Sequence, residues 1–187
     1  MIGKLKIGFG IWLFLIFILL GGYRIIDLSV ALSWVFAVFL HEMGHLFAAK
    51  LCGADIKSFT LDVVGAKMTL CGKLLSYKEE ILVAAAGPLT NLITAGLLSS
   101  FFGEFASFSM MLAILNLFPV FGFDGYRILF SFISLFFGNE IAAALMKKLS
   151  FFAIIIIWLL AVYLLLRFGA GFSAFILACS LFSSAIV

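Results

Sequence analysis

Residues 7–22 read IGFGIWLFLIFILLGG, and residues 150–166 are equally free of charge. Runs of this kind constrain the fold more than any motif does. Their backbone amides need partners, and their side chains shun water. A helix across a bilayer, which takes about 20 mostly apolar residues, satisfies both demands. Composition agrees. The 187-residue chain is 66% hydrophobic and 11% charged, with a mean hydropathy of +1.32. A globular domain is about 45–50% apolar and about 25% charged. An integral membrane protein is therefore expected, without a sizeable soluble domain. The net charge of +3 is too small to suggest nucleic-acid binding, and no nucleic-acid partner is expected.

Six segments fit the bilayer, at roughly 7–22, 28–51, 80–102, 105–137, 150–168 and 169–187. The fourth is too long for one straight span. It carries Asn116, Pro119, Gly122 and Gly125, so the helix is expected to break there. Broken backbone at membrane depth persists only against protein or a watery cavity, so a polar pocket is expected at the break. With the N-terminus inside, Lys4, Lys6, Lys50, Lys57, Lys67, Lys73, Lys78, Lys147 and Lys148 fall on the cytoplasmic side. Arg24 and Arg167 fall outside. That bias supports the orientation. Between spans two and three, residues 52–79 alternate apolar and polar in places, with Gly65 and Gly72 as punctuation. The expected fold class is all-α polytopic, with six transmembrane helices, the fourth broken, and a small cytoplasmic-side β-hairpin. Residues 1–187 form one membrane-embedded domain, with a core at roughly 28–137.

The only histidines, His41 and His45, flank Glu42 in FLHEMGHLFAAKL. Four residues apart on a helix, they stack on one face and can share one divalent metal, with Glu42 beside the bound water. Ionisable groups inside membrane helices are costly and usually functional. Of nine acids, only Glu42 and Asp124 fall where membrane or pocket is expected. A catalytic zinc takes three protein ligands and one open position, and Asp124 is the natural third. The alternative for Asp124 is an ion pair with Arg127. In the hydrolytic reading, Glu42 moves a proton from the attacking water to the leaving amine. Asn116 is the candidate oxyanion donor, or else caps the broken backbone. A membrane helix hides its backbone, so the substrate must unwind. A strand edge in 55–75 is expected to hold it by strand addition. Two other readings stand beside this one. One is a zinc enzyme using Glu79, Glu80, Glu104 or Glu140 as third ligand. The other is a non-proteolytic metal-binding membrane protein or transporter.

Three stretches, HEMGH, AAAGPLTNL and NLFPVFGFDG, resemble the site-2 proteases, intramembrane zinc metalloproteases. The six-span plan looks most like their sporulation branch, whose substrate would be a sigma-factor precursor. The resemblance implies one Zn2+ per chain, held by His41, His45 and Asp124, with Glu42 as catalytic acid/base. It implies that Asn116 contacts the substrate or the oxyanion, and it matches Gly87, Pro88 and Asn91 to a family motif. Implied partners are a membrane-associated protein substrate, the lipid bilayer, and membrane regulatory or inhibitor proteins. The implied location is a bacterial cell membrane, with a cytoplasmic N-terminus. Gly122 stands where the family has a second proline, Phe123 for a leucine and Tyr126 for a second glycine. A more flexible loop is expected there. No PDZ or CBS domain is expected after the sixth span.

Overall fold

The computed structural model describes residues 4–7, 28–62, 65–71 and 74–168. Two compact units divide the chain, at 1–115 and 116–187. In the first unit, β1 (Lys4–Ile7) precedes helix α1 (Leu28–Leu51). Strands β2 (Asp55–Asp62) and β3 (Gly65–Cys71) follow, then α2 (Tyr77–Leu98) and α3 (Gly103–Asn116). The second unit holds α4 (Asp124–Phe137) and α5 (Asn139–Phe168).

The strands form one sheet in the order β1-β2-β3. β1 runs parallel to β2, with Lys4 opposite Ser58 and Ile7 opposite Leu61. β2 and β3 are antiparallel from Asp55↔Cys71 to Asp62↔Gly65, with an irregularity between Ile56 and Ser58. Ser76 caps α2 with a reciprocal capping box. Glu79 N–H donates to Ser76 Oγ at 3.4 Å, and Ser76 N–H donates to Glu79 Oε2 at 2.8 Å. Two of the helix's orphan donors are thereby satisfied.

The all-α, six-span expectation is corrected. Among the described residues there are five helices, and three are long and apolar enough to cross a membrane: Leu28–Leu51, Tyr77–Leu98 and the Asn139–Leu160 part of α5. The strands form a three-stranded sheet that includes the N-terminal β1, so all-α does not describe the chain. Except for Ile7, the expected first span lies outside the described residues, as does the sixth at 169–187. The fourth region is two helices of 14 residues each, α3 and α4. At 1.5 Å per residue each is about 21 Å long, short of the roughly 30 Å hydrocarbon core. The expected fifth span starts eleven residues early, at Asn139. Lys147 and Lys148 therefore lie within α5, not in a loop between spans.

Burial runs in the sense expected of a protein in lipid. On α1 the buried residues are Ala37, His41, Glu42, Gly44, His45 and Ala49. Leu32, Phe39 and Phe47 face outward, Phe47 with 66% of its surface exposed. The two histidines and Glu42 are inside and these large apolar residues outside. On α5 the buried line is Ala142, Met146, Ser150, Ala153 and Ile154, spaced three or four apart along one face.

Candidate metal centre

His41 and His45 lie on one face of α1, against α2, and are 4% and 6% exposed. His45 Nδ1 is 2.7 Å from the Val83 carbonyl oxygen. A carbonyl can only accept, so Nδ1 carries the proton and Nε2 of the neutral ring presents a lone pair. That lone pair is 3.1 Å from His41 Nε2, with the two rings at 83°. Two nitrogens bound at 2.0–2.1 Å to one tetrahedral zinc sit about 3.3 Å apart, so the observed separation fits a shared ion. The carbonyl behind His45 is the outer partner that metal-binding histidines ordinarily use to fix their tautomer.

Two glycines let the helices come this close. A Cβ built on Gly87 would fall on His45 Nε2 and lie 2.8 Å from His41 Nε2. The space between α2 and the imidazoles exists because Gly87 has no side chain. Gly44, between the histidines, does the same for the backbones. A Cβ there would meet Thr90 Oγ1 and lie 2.6 Å from the Ala86 carbonyl oxygen. Small residues at helix contacts are the usual packing solution in membranes, where lipid supplies no hydrophobic drive for helices to associate. Pro88 follows Gly87 inside α2 and leaves Ala84 without its i+4 amide donor. Below the histidines, Ala49, Ala54 and Val83 form a small apolar cluster with Ala48, Cys52 and Leu75. It seats the turn that carries the Val83 carbonyl. Glu42, next to His41, is 7% exposed.

In the second unit, Asp124 is the first residue of α4 and is also 7% exposed. A carboxylate at a helix N-terminus is favoured by the helix dipole and by the unpaired amides there. Arg127 Nη1 lies 3.4 Å from Asp124 Oδ1, so the ion pair weighed for this residue is present at long range. A carboxylate has two oxygens, and such a pair does not prevent metal binding. Gly125 is required by a close approach: its Cβ would clash with the Leu117 carbonyl oxygen and lie 2.7 Å from that of Phe118. The loop 117–123 is a chain of closed turns. Val120 N–H donates to Phe118 O at 2.8 Å, a γ-turn centred on Pro119, whose fixed φ suits it. Phe123 N–H donates to Val120 O at 3.0 Å, and Gly122 at φ +93° takes the third position of that turn. Only glycine adopts that angle freely, and proline cannot. Gly122 therefore follows from the turn geometry, whereas the sequence suggested only a looser loop. Asn116 ends α3 half-buried.

Sequence reasoning singled out His41, Glu42, His45, Asn116 and Asp124. All but Asn116 are buried. It missed Gly44, the Val83 carbonyl, and Ser150 on α5, which binds the loop before Asp124. Gly44 was visible as the one small residue between the two histidines. Val83 and Ser150 act on atoms 38 and 31 residues away, and nothing local marks them. The first unit thus offers two buried imidazoles on one helix face, and the second a buried carboxylate at a helix start.

Such a helix in an apolar frame defines a class, the membrane-embedded HExxH proteins. Residues 29–103 match the model of Peptidase family M50. A zinc metalloprotease of Methanocaldococcus jannaschii is 31% identical over 157 residues, covering 72% of this chain and 46% of that protein. The chain thus spans about half the length of this curated relative. The solved site-2 protease from the same organism has the same fold. Its TM-score is 0.68 at 22% identity, over 99% of this chain and 90% of that one.

Proposed function

We propose that the protein is an intramembrane zinc metalloprotease that hydrolyses a peptide bond of a membrane-associated protein. The observation that carries this is the imidazole pair: two Nε2 atoms 3.1 Å apart, one tautomer fixed by Val83, with a glycine wall beside them. The M50 match and the zinc metalloprotease relative support it. His41 and His45 would hold the ion, and Asp124 would supply the third ligand. Zinc, when bound, polarises a carbonyl and acidifies a water. Glu42, buried in the same helical turn as His41, takes a proton from the attacking water and hands it to the leaving nitrogen. The C–N bond breaks and the water oxygen stays on the carbonyl carbon. Asn116 donates to the developing oxyanion. The surrounding apolar side chains exclude competing water.

The sporulation branch was favoured by a six-span plan, which the described residues do not carry. The substrate is therefore set at the broader class of membrane-associated proteins. In this reading the sheet belongs on the cytoplasmic side, a side supported by the lysines of segments 4–7 and 50–78.

The test compares zinc content and cleavage of an unwound transmembrane peptide by wild type, His41→Ala, Asp124→Asn and Glu42→Gln. Glu42→Gln should keep its zinc and lose cleavage by about 10²–10⁴-fold, the usual worth of a positioned acid/base. The two ligand variants should lose both. Cleavage by Glu42→Gln at the wild-type rate would sink the mechanism. Metal-dependent function without cleavage would point to a metal-binding or transport role.

A further inference from the structure

Ser150 lies midway along α5, 6% exposed, and its Oγ donates to the Pro119 carbonyl oxygen at 2.7 Å. This is not what helical hydroxyls usually do. Thr90, Thr94 and Ser107 in this chain each turn back to a carbonyl four residues earlier in their own helix, Ala86, Thr90 and Gly103. Ser150 instead reaches across 31 residues of sequence to a loop. The apolar contact beside it has the same destination. Val120, fully buried, packs on Ala153 and Ile154, one helical turn beyond Ser150 on the same face, with Phe118, Phe123 and Ile157 around it. One face of α5 thus holds Pro119 by a hydrogen bond and Val120 by packing.

From these two anchors a hydrogen-bonded turn leads to Asp124. Val120 O accepts from Phe123 N–H at 3.0 Å, and Phe123 O accepts from Arg127 N–H at 3.4 Å as α4 begins. Asp124 follows Phe123 directly. We infer that Ser150 is a positioning residue for Asp124: its hydroxyl fixes the Pro119 carbonyl and, through the closed turns, the place where α4 starts. This rests on the reading of Asp124 as the third zinc ligand. Metal affinity depends on ligand placement to a few tenths of an ångström, so a loop freed at Pro119 registers in zinc binding before it registers in folding.

The experiment uses full-length protein in lipid nanodiscs. Zinc affinity is measured by chelator competition, with the visible spectrum of the cobalt-substituted protein and kcat and KM as further readouts. Ser150→Ala should weaken zinc binding about tenfold, the low end for an outer partner of a ligand. It should also shift the cobalt spectrum and lower kcat while KM holds. Ser150→Thr, which keeps the hydroxyl, should restore all three. Ser134→Ala removes another buried hydroxyl of the same unit and should behave as wild type. Wild-type zinc affinity in Ser150→Ala, with zinc lost in Asp124→Ala, overturns the inference and leaves the ligand assignment standing. Failure of Ser150→Thr to restore binding overturns it too, since the hydroxyl is then not the cause. Wild-type zinc affinity in Asp124→Ala overturns the ligand reading itself.

Discussion

At Gly87 the protein keeps a space by having no side chain. Adding one methyl group there places carbon against both imidazole nitrogens, which must then move or turn. A misplacement of about 1 Å near the reacting atoms costs on the order of a hundredfold in rate. Gly87→Ala should therefore lower kcat/KM by about that factor while the protein still folds, with zinc content measured in parallel. The histidines themselves were legible, because two imidazoles and a carboxylate in an apolar helix have few other reasons to be there. The Val83 carbonyl was not legible: every residue has a carbonyl, and only the packing of α1 on α2 selects this one. Gly44 and Gly87 stand between these cases. Their small size can be read, but which atoms they admit cannot.

The helical elements divide by what positions their ends. The break after Asn116 was legible from Pro119, Gly122 and Gly125 together. The form of the break was not. Two 14-residue helices joined by closed turns, and an α5 that begins at Asn139, depend on contacts distant in sequence, such as Ser150 with Pro119. Charge patterning misled at Lys147 and Lys148. A lysine pair usually marks a loop or a membrane boundary, but a 30-residue helix is about 45 Å long and outruns the bilayer. Within the loop, Gly122 at φ +93° sets a second prediction. Gly122→Ala should cost about 1 kcal/mol of stability, the penalty of a side chain in the left-handed region, read as a lower unfolding temperature in detergent. Gly122→Pro cannot reach that angle and should open the turn at Phe123, with a larger loss of stability and a loss of cleavage.

For the molecule as a whole, membrane residence was plain from composition, because no soluble fold can hide so much apolar side chain. The span count was not, since hydropathy scores segments singly and ignores how they pair. The parallel pairing of β1 with β2 is the clearest case. It joins residue 4 to residue 58 across more than fifty residues, and β1 alone is only four residues long. Hydrogen-bonded strands share one side of a membrane. In a variant lacking the three native cysteines, single cysteines introduced at Leu5 and Ser58 should react with an impermeant thiol reagent from the same side. Labelling from opposite sides would refute the pairing. Chelation should abolish cleavage, and zinc should return it, while helicity by circular dichroism stays unchanged. The described helices owe their hydrogen bonds to their own backbone and not to the ion.

The turns before Asp124 also bear on how the chain tolerates change in length. Surface loops usually accept an added residue at little cost. Here each bond counts residues: two from Phe118 to Val120, three from Val120 to Phe123, four from Phe123 to Arg127. One residue gained or lost between Pro119 and Phe123 puts a donor out of reach of its acceptor. One residue inserted just after Asp124 rotates the remainder of α4 by about 100° relative to it. The segment works as a ruler, and related chains that keep the chemistry should vary here in residue type far more freely than in length.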